Sequence, residues 1–178
     1  IQLSTVGTTT PGIVFHGELA GDAAGSAVSA WTDALGPDDL LVGAPGATVL
    51  DPFGAPLTNA GILYAIHGGA ANLTAKATAG GVIELSRIAN GLMDNVEGVV
   101  FLGADTDARI GRSVAGTMDV DDDGIFDIFL GSDNEAWLIP GDDPKTSSGA
   151  TTVVTKPQPT GGSFSTLARQ IGSSYAAT

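Results

Sequence analysis

Gly12-Ile13-Val14-Phe15-His16-Gly17 reads against Gly98-Val99-Val100-Phe101-Leu102-Gly103, and this pair of stretches decides how the rest of the chain is parsed. In the same register, at an offset of 86, Gly25-Ser26-Ala27-Val28-Ser29 reads against Gly111-Arg112-Ser113-Val114-Ala115. Working outward, Asp39-Leu40-Leu41-Val42-Gly43 matches Asp127-Ile128-Phe129-Leu130-Gly131 at an offset of 88, and the run Ala60 to Gly68 matches Asn134 to Gly141. A third copy is expected to begin at Gln170-Ile171-Gly172 and to continue through Tyr175. Self-similarity at a long fixed period is the signature of a repeat architecture, so these matches outrank any local propensity.

Each unit has one grammar. A short strand follows the glycine (26–30, 113–117), and an acidic turn comes next. Then comes a continuous apolar run (40–42, 128–130), as expected of a strand covered on both faces. A further strand carries an aromatic (62–66, 136–139), and a fourth is expected near 99–102. Four short antiparallel strands per unit make the blade of a propeller. The fold class expected is therefore all-β, an incomplete ring of about two such blades plus flanking strands. Residues 1–20 would be strands of a preceding blade, 21–103 the first unit, 104–165 the second, and 166–178 the start of a third. The stretch 70–97 is less regular and reads as an excursion between strands, with a helical turn at Ser86 to Asn90 closed by Asn90-Gly91. It carries one glycosylation sequon, Asn72-Leu73-Thr74.

Composition bounds what the chain can do. It has 178 residues, 43% of them hydrophobic, which is enough to bury a core. No run approaches the roughly 18 apolar residues of a membrane helix. Asp and Glu number 20 against 7 Lys and Arg, and the net charge of −13 repels nucleic acid and anionic membranes while attracting cations. The absence of cysteine removes disulfides, thiolate metal sites and cysteine nucleophiles. His16 and His67 lie at strand positions outside any motif with a nucleophile, no serine stands in Gly-x-Ser-x-Gly, and the glycines lack phosphate-loop spacing. No catalytic constellation is legible, and the expectation is a protein that is not an enzyme.

The chemistry that is legible lies in Asp119-Val120-Asp121-Asp122-Asp123-Gly124-Ile125-Phe126-Asp127. Calcium is a hard cation that takes about 6–8 oxygens. Carboxylates at alternating positions Asp119, Asp121 and Asp123 turn inward when a short loop curls. Gly124 supplies a conformation that side chains resist. The Ile125 carbonyl can then ligate, and Asp127 closes the shell as the next strand starts. Read instead as a solvated turn, five aspartates among nine residues would repel one another, each pair costing about 1 kcal/mol at 5 Å even in water-like dielectric. An EF-hand opens the same way but needs an acid at position 12, which here is Leu130, and helices on both sides. The reading is a β-hairpin ion loop with Asp122 facing solvent. The corresponding turn of the first unit, Trp31 to Asp39, lacks the alternating carboxylates; only Asp33 and Asp39 match liganding positions, and no ion is expected there. Asp105-Thr106-Asp107 reads as an ordinary loop.

Three runs also resemble a known family. Asp38-Asp39-Leu40-Leu41-Val42-Gly43-Ala44-Pro45 resembles the second strand of FG-GAP repeats, as in integrin α-subunit propellers. Ile110-Gly111-Arg112-Ser113-Val114-Ala115 resembles the repeat's opening, with Ile for Phe, and Ala60-Gly61-Ile62-Leu63-Tyr64 resembles its next strand. The resemblance implies a β-propeller with calcium between its first two strands, extracellular or at the cell surface, used for adhesion or for binding a protein or glycan. Two units cannot close a ring, so further polypeptide or other copies of the chain are expected to complete it. The alternatives are a structural subunit of an extracellular filament or surface layer, and an accessory propeller of a secreted hydrolase.

Overall fold

The computed structural model describes residues 2–32, 36–122 and 124–141, together with the backbone of two strands at 150–154 and 166–170. The protein is all-β. Its described helical turns are two short 3₁₀ segments, Leu3–Thr5 and Leu85–Arg87, the second falling where a helical turn was expected. The strands are β1 (Val14–His16), β2 (Ala27–Trp31), β3 (Asp39–Ala44), β4 (Val49–Leu50), β5 (Pro56–Leu57), β6 (Ile62–Ile66), β7 (Val82–Glu84), β8 (Gly98–Leu102), β9 (Ser113–Met118), β10 (Asp127–Gly131), β11 (Ala136–Ile139), β12 (Ala150–Val154) and β13 (Thr166–Gln170).

Nine of them form one curled sheet in the order β11-β10-β9-β2-β3-β6-β8-β12-β13. Within it β2, β3, β6 and β8 are a four-stranded antiparallel meander, and β9, β10 and β11 repeat its first three strands. The two units meet where β2 and β9 run parallel, bridged at Trp31 and Gly116. A side chain at Gly116 would collide with the Ala30 carbonyl and the Trp31 Cβ, so the approach needs glycine there. β1 stands outside this sheet, paired in parallel with β7 of the excursion.

Backbone geometry repeats where the side chains do not. Ala23 and Arg109, which are 86 apart, have φ of 55° and 54°, and Gly25 and Gly111 both have φ of 83°. Each unit thus enters its first strand through the same left-handed bend, which a glycine adopts without penalty. The two extra residues of the second unit are shared between two devices. The loop 119–126 is one residue longer than 32–38, and the register shifts between Asp127 and Phe129, so that Gly116 and Thr117 together oppose Ile128 as a β-bulge.

Alternation along the strands explains their continuous apolar runs. Val42, Ala44, Ile62, Tyr64, Ile66 and Val100 face one core, which the excursion covers with Ile83, Leu85, Ile88 and Val96. Their neighbours Leu41, Leu63, Ala65, Val99 and Phe101 face a second core with Trp31, Ile110, Ile128, Leu130 and Trp137. The central meander is therefore buried on both faces, once by its own 67–97 insertion and once by the second unit. At the rim of the first core, Tyr64 is 2% exposed and donates its hydroxyl to Glu18 at 2.7 Å. Burial, and then this partner, push the phenol well above its ordinary range.

The excursion is closed by one side chain. Asn72 donates Nδ2 to the His67 carbonyl (2.7 Å) and the Glu97 carbonyl (3.0 Å), and its Oδ1 accepts from the Glu97 amide (2.7 Å). It is 6% exposed. The sequon asparagine is thus a bracket joining the two ends of the insertion, and its amide has no room for a glycan in this fold.

Two outcomes follow. Asn72→Ala leaves the His67 carbonyl and the Glu97 amide without their side-chain partner, while the Glu97 carbonyl keeps the His67 amide, and it should lower unfolding free energy by about 1–3 kcal/mol in urea titrations; a loss under about 0.5 kcal/mol would mean that the bracket carries nothing. For Tyr64 the folded state holds its proton more tightly than the unfolded chain. Its contribution is therefore complete below the unfolded phenol pKa and is lost as pH rises beyond about 10. Melting temperature should fall above that pH, and less steeply in Tyr64→Phe.

Candidate functional site: the acidic hairpin turn

The β9–β10 hairpin ends in the acidic loop because its two strands pair from Ser113↔Gly131 up to Met118↔Asp127 and then run out of partners. In the loop, carboxylate oxygens of Asp119, Asp121 and Asp127 lie within 4.8 Å of one another. Among the described residues they are the one group of acidic or histidine side chains that converges in this way. Their environments differ: Asp121 is exposed, Asp119 is half-buried, and Asp127 is 1% exposed.

Local hydrogen bonds curl the loop. Asp119 Oδ2 accepts from the Gly124 amide at 2.8 Å, and Gly124 takes φ of 88°. That bond folds the middle of the loop back over its start. Asp127 Oδ2 accepts from the Val120 amide at 2.8 Å and Oδ1 from the Gly141 amide at 2.9 Å. One buried carboxylate thus ties the loop's beginning to the end of β11. Each carboxylate oxygen carries a second lone-pair site, so these bonds leave acceptor capacity in place.

Of the five positions expected to hold an ion, the structure brings together Asp119, Asp121 and Asp127. Ile125 lies in the same loop, half-buried, and Asp123 is outside the described residues. Asp122 is exposed with φ of 64°, as expected of the residue turned to solvent. In the first unit, Asp33 also lies outside the described residues, while Asp39 is 0% exposed and its Oδ1 accepts from the Gly68 amide at 2.7 Å. Asp39–Gly68 and Asp127–Gly141 are the same bond in two units. The aspartate that opens the second strand therefore has an architectural duty whether or not an ion is near. Of the histidines, His67 is buried, and exposed His16 stands 3.3 Å from Glu84 across β1 and β7.

Sequence reasoning missed Trp31. It is 1% exposed, and its Nε1 donates to the Phe126 carbonyl at 2.6 Å. It stands opposite Asp39 where the second unit has Met118 opposite Asp127, so alignment of the repeats hides it. The first unit's tryptophan thereby fixes the last peptide of the second unit's acidic loop. No signal short of the β2–β9 bridge places these residues together.

Comparison with protein-family models finds no match, and a search of curated proteins finds none either. The site therefore stands on its own geometry.

The geometry separates scaffold from surface. Without added divalent ions, Asp127→Ala should cost about 2–4 kcal/mol in chemical denaturation, because two backbone amides lose a charged acceptor. Asp121→Ala should change stability by no more than about 0.5 kcal/mol. Equal losses in the two variants would contradict the division.

Proposed function

We propose that this chain is part of an extracellular, calcium-stabilised β-propeller of the FG-GAP type, a binding module rather than an enzyme. The observation that carries the reading is the convergence of Asp119, Asp121 and Asp127 at the tip of a hairpin whose buried aspartate repeats in the neighbouring unit. The four-stranded meander β2-β3-β6-β8 and its partial repeat support the blade reading, as do the repeated left-handed bends.

The donor set suits calcium. The three ligand atoms that converge are carboxylate oxygens, hard and anionic, with neither imidazole nor thiolate among them. Asp119, Asp121 and Asp127 would hold the ion, with Asp123 and the Ile125 carbonyl as the further ligands expected from the loop's spacing. When bound, the ion supplies positive charge that cancels the mutual repulsion of the aspartates. The chain's own residues do the positioning: Gly124 bends the loop, Asp127 anchors it to Gly141, and Trp31 holds Phe126.

The expected role is structural. At about ten times its dissociation constant, an ion that binds only the folded state adds about 1.4 kcal/mol, enough to stiffen a hairpin and too little to fold a domain. Melting followed against calcium, with magnesium and a chelator as controls, should show a rise of a few degrees with calcium that Asp121→Ala removes. A melting temperature that ignores calcium up to about 10 mM, well beyond the range of extracellular calcium modules, would sink the proposal.

A further inference from the structure

Among the described residues, the second unit stops one strand short of the first. In the first unit β8 pairs with β6 and completes the meander, whereas β11, the match of β6, stands at the end of the nine-stranded sheet with β10 as its described neighbour. The described strands that follow it, β12 and β13, join the sheet at β8 instead. The open edge is uncharged over Ala136-Trp137-Leu138-Ile139. On one face of it Leu138 is 40% exposed, beside exposed Ala136 and half-buried Phe129. The matching face of the first unit, formed by Leu41, Leu63, Ala65, Val99 and Phe101, is buried. An apolar edge strand of this kind is a template for an added strand.

The chain itself carries a strand that fits. Gly98-Val99-Val100-Phe101-Leu102-Gly103 contains β8, and Gly12-Ile13-Val14-Phe15-His16-Gly17 repeats it around β1. Close approach demands both glycines of the β8 stretch: a Cβ on Gly98 would collide with the Ala65 carbonyl, and one on Gly103 with the Ala60 carbonyl. The β1 stretch carries both, yet β1 pairs over three residues, in parallel, with β7 outside the main sheet. The repeat also sets a register. Tyr64 and Ile66 oppose Val42 and Leu40, as Trp137 and Ile139 oppose Leu130 and Ile128. In the first unit Ile66, Ala65, Tyr64 and Leu63 pair with Gly98, Val99, Val100 and Phe101. Carried over to β11, the pairs become Ile139↔Gly12, Leu138↔Ile13, Trp137↔Val14 and Ala136↔Phe15.

We infer that β11 takes residues 12–17 of a second copy of this chain as its fourth strand, antiparallel and in that register. Ile13 and Phe15 then cover Leu138 and Phe129, and Val14 lies beside Trp137 at the second core. The donor is a second copy because, within one molecule, β1 packs on the first core and β11 on the second, on opposite faces of the central meander. Transfer exchanges a short parallel pairing for an antiparallel ladder, which is slightly more stable per residue. It also draws Ile13 and Phe15 off the donor's first core, so association is weak, with a dissociation constant on the order of 0.1 mM. Donor and acceptor are different patches, so the contact runs head to tail. The inference rests on the repeat and the strand order, and it stands or falls apart from the ion reading.

The chain contains no cysteine, so introduced cysteines report the register. Ile13→Cys and Leu138→Cys proteins are mixed at about 0.2 mM in a glutathione redox buffer, with chelator throughout so that no ion takes part. Directly opposed residues of paired strands lie close enough for a disulfide. The covalent heterodimer should form about fivefold more than when Leu50→Cys, at an exposed site on β4, replaces Leu138→Cys. A free peptide of residues 10–17 should suppress it, and the same peptide carrying Val14→Asp should not. The labelled peptide should also bind the unaltered chain, and bind Leu138→Lys about tenfold more weakly at unchanged melting temperature, since a charge on an edge strand resists pairing. A heterodimer yield no higher than the control, homodimers of Leu138→Cys in preference to the heterodimer, or peptide binding indifferent to Leu138→Lys would each overturn the inference.

Discussion

One bond recurs in both units and holds each together: a buried aspartate at the start of the second strand accepts the amide of the glycine just past the third. In the first unit it is Asp39 to Gly68, and in the second Asp127 to Gly141. A carboxylate taken almost wholly out of water is tolerable only with strong donors, and backbone amides of fixed position are such donors. The constraint runs both ways. The glycine amide has lost its place in the strand ladder and needs an acceptor, and the aspartate needs compensation for burial. Side chains are also excluded at both glycines, since a Cβ on Gly68 would meet the Asp38 carbonyl and one on Gly141 the Phe126 carbonyl.

The differences between the units follow from what is hung on that frame. The second unit's turn carries one more residue and a bulge, and the added length lets its aspartates curl inward while Asp127 keeps its structural bond. The first unit spends its extra length elsewhere. Its second and third strands are joined by residues 45–61, which carry the β4–β5 hairpin, and its third and fourth by 67–97, whereas the second unit joins β10 to β11 through 132–135. The long insertion pays its way by covering one face of the meander, which is why Tyr64, Ile66 and Val100 are buried. Trp31 then stitches the units together, its ring in the second core and its N–H on the acidic loop of the neighbour.

Much of this was legible before any coordinates. The period, the positions of β2, β3, β6, β8, β9, β10 and β11, and the excursion at 70–97 can all be read from glycines and apolar runs, because strand period and turn chemistry are local properties. The acidic turn was legible for the same reason: its ligand candidates lie within nine residues of one another. Less of the surroundings was. Nothing in the three residues of the sequon shows that Asn72 folds as a buried bracket, because its partners, His67 and Glu97, are set by where the insertion returns to the sheet.

The sequence by itself determined that the chain is β-rich, that it repeats, and that five aspartates fall within nine residues of the second unit's turn, since each of these depends only on residues close together along the chain. Tertiary structure alone decided that Asp127 is a scaffold residue, that Trp31 belongs to its neighbour's loop, and that β11, among the described residues, lacks the neighbour that β8 gives to β6. Those facts depend on the β2–β9 junction and on the strand register. Both are set by burial on two faces at once, a sum over distant residues that no short stretch contains.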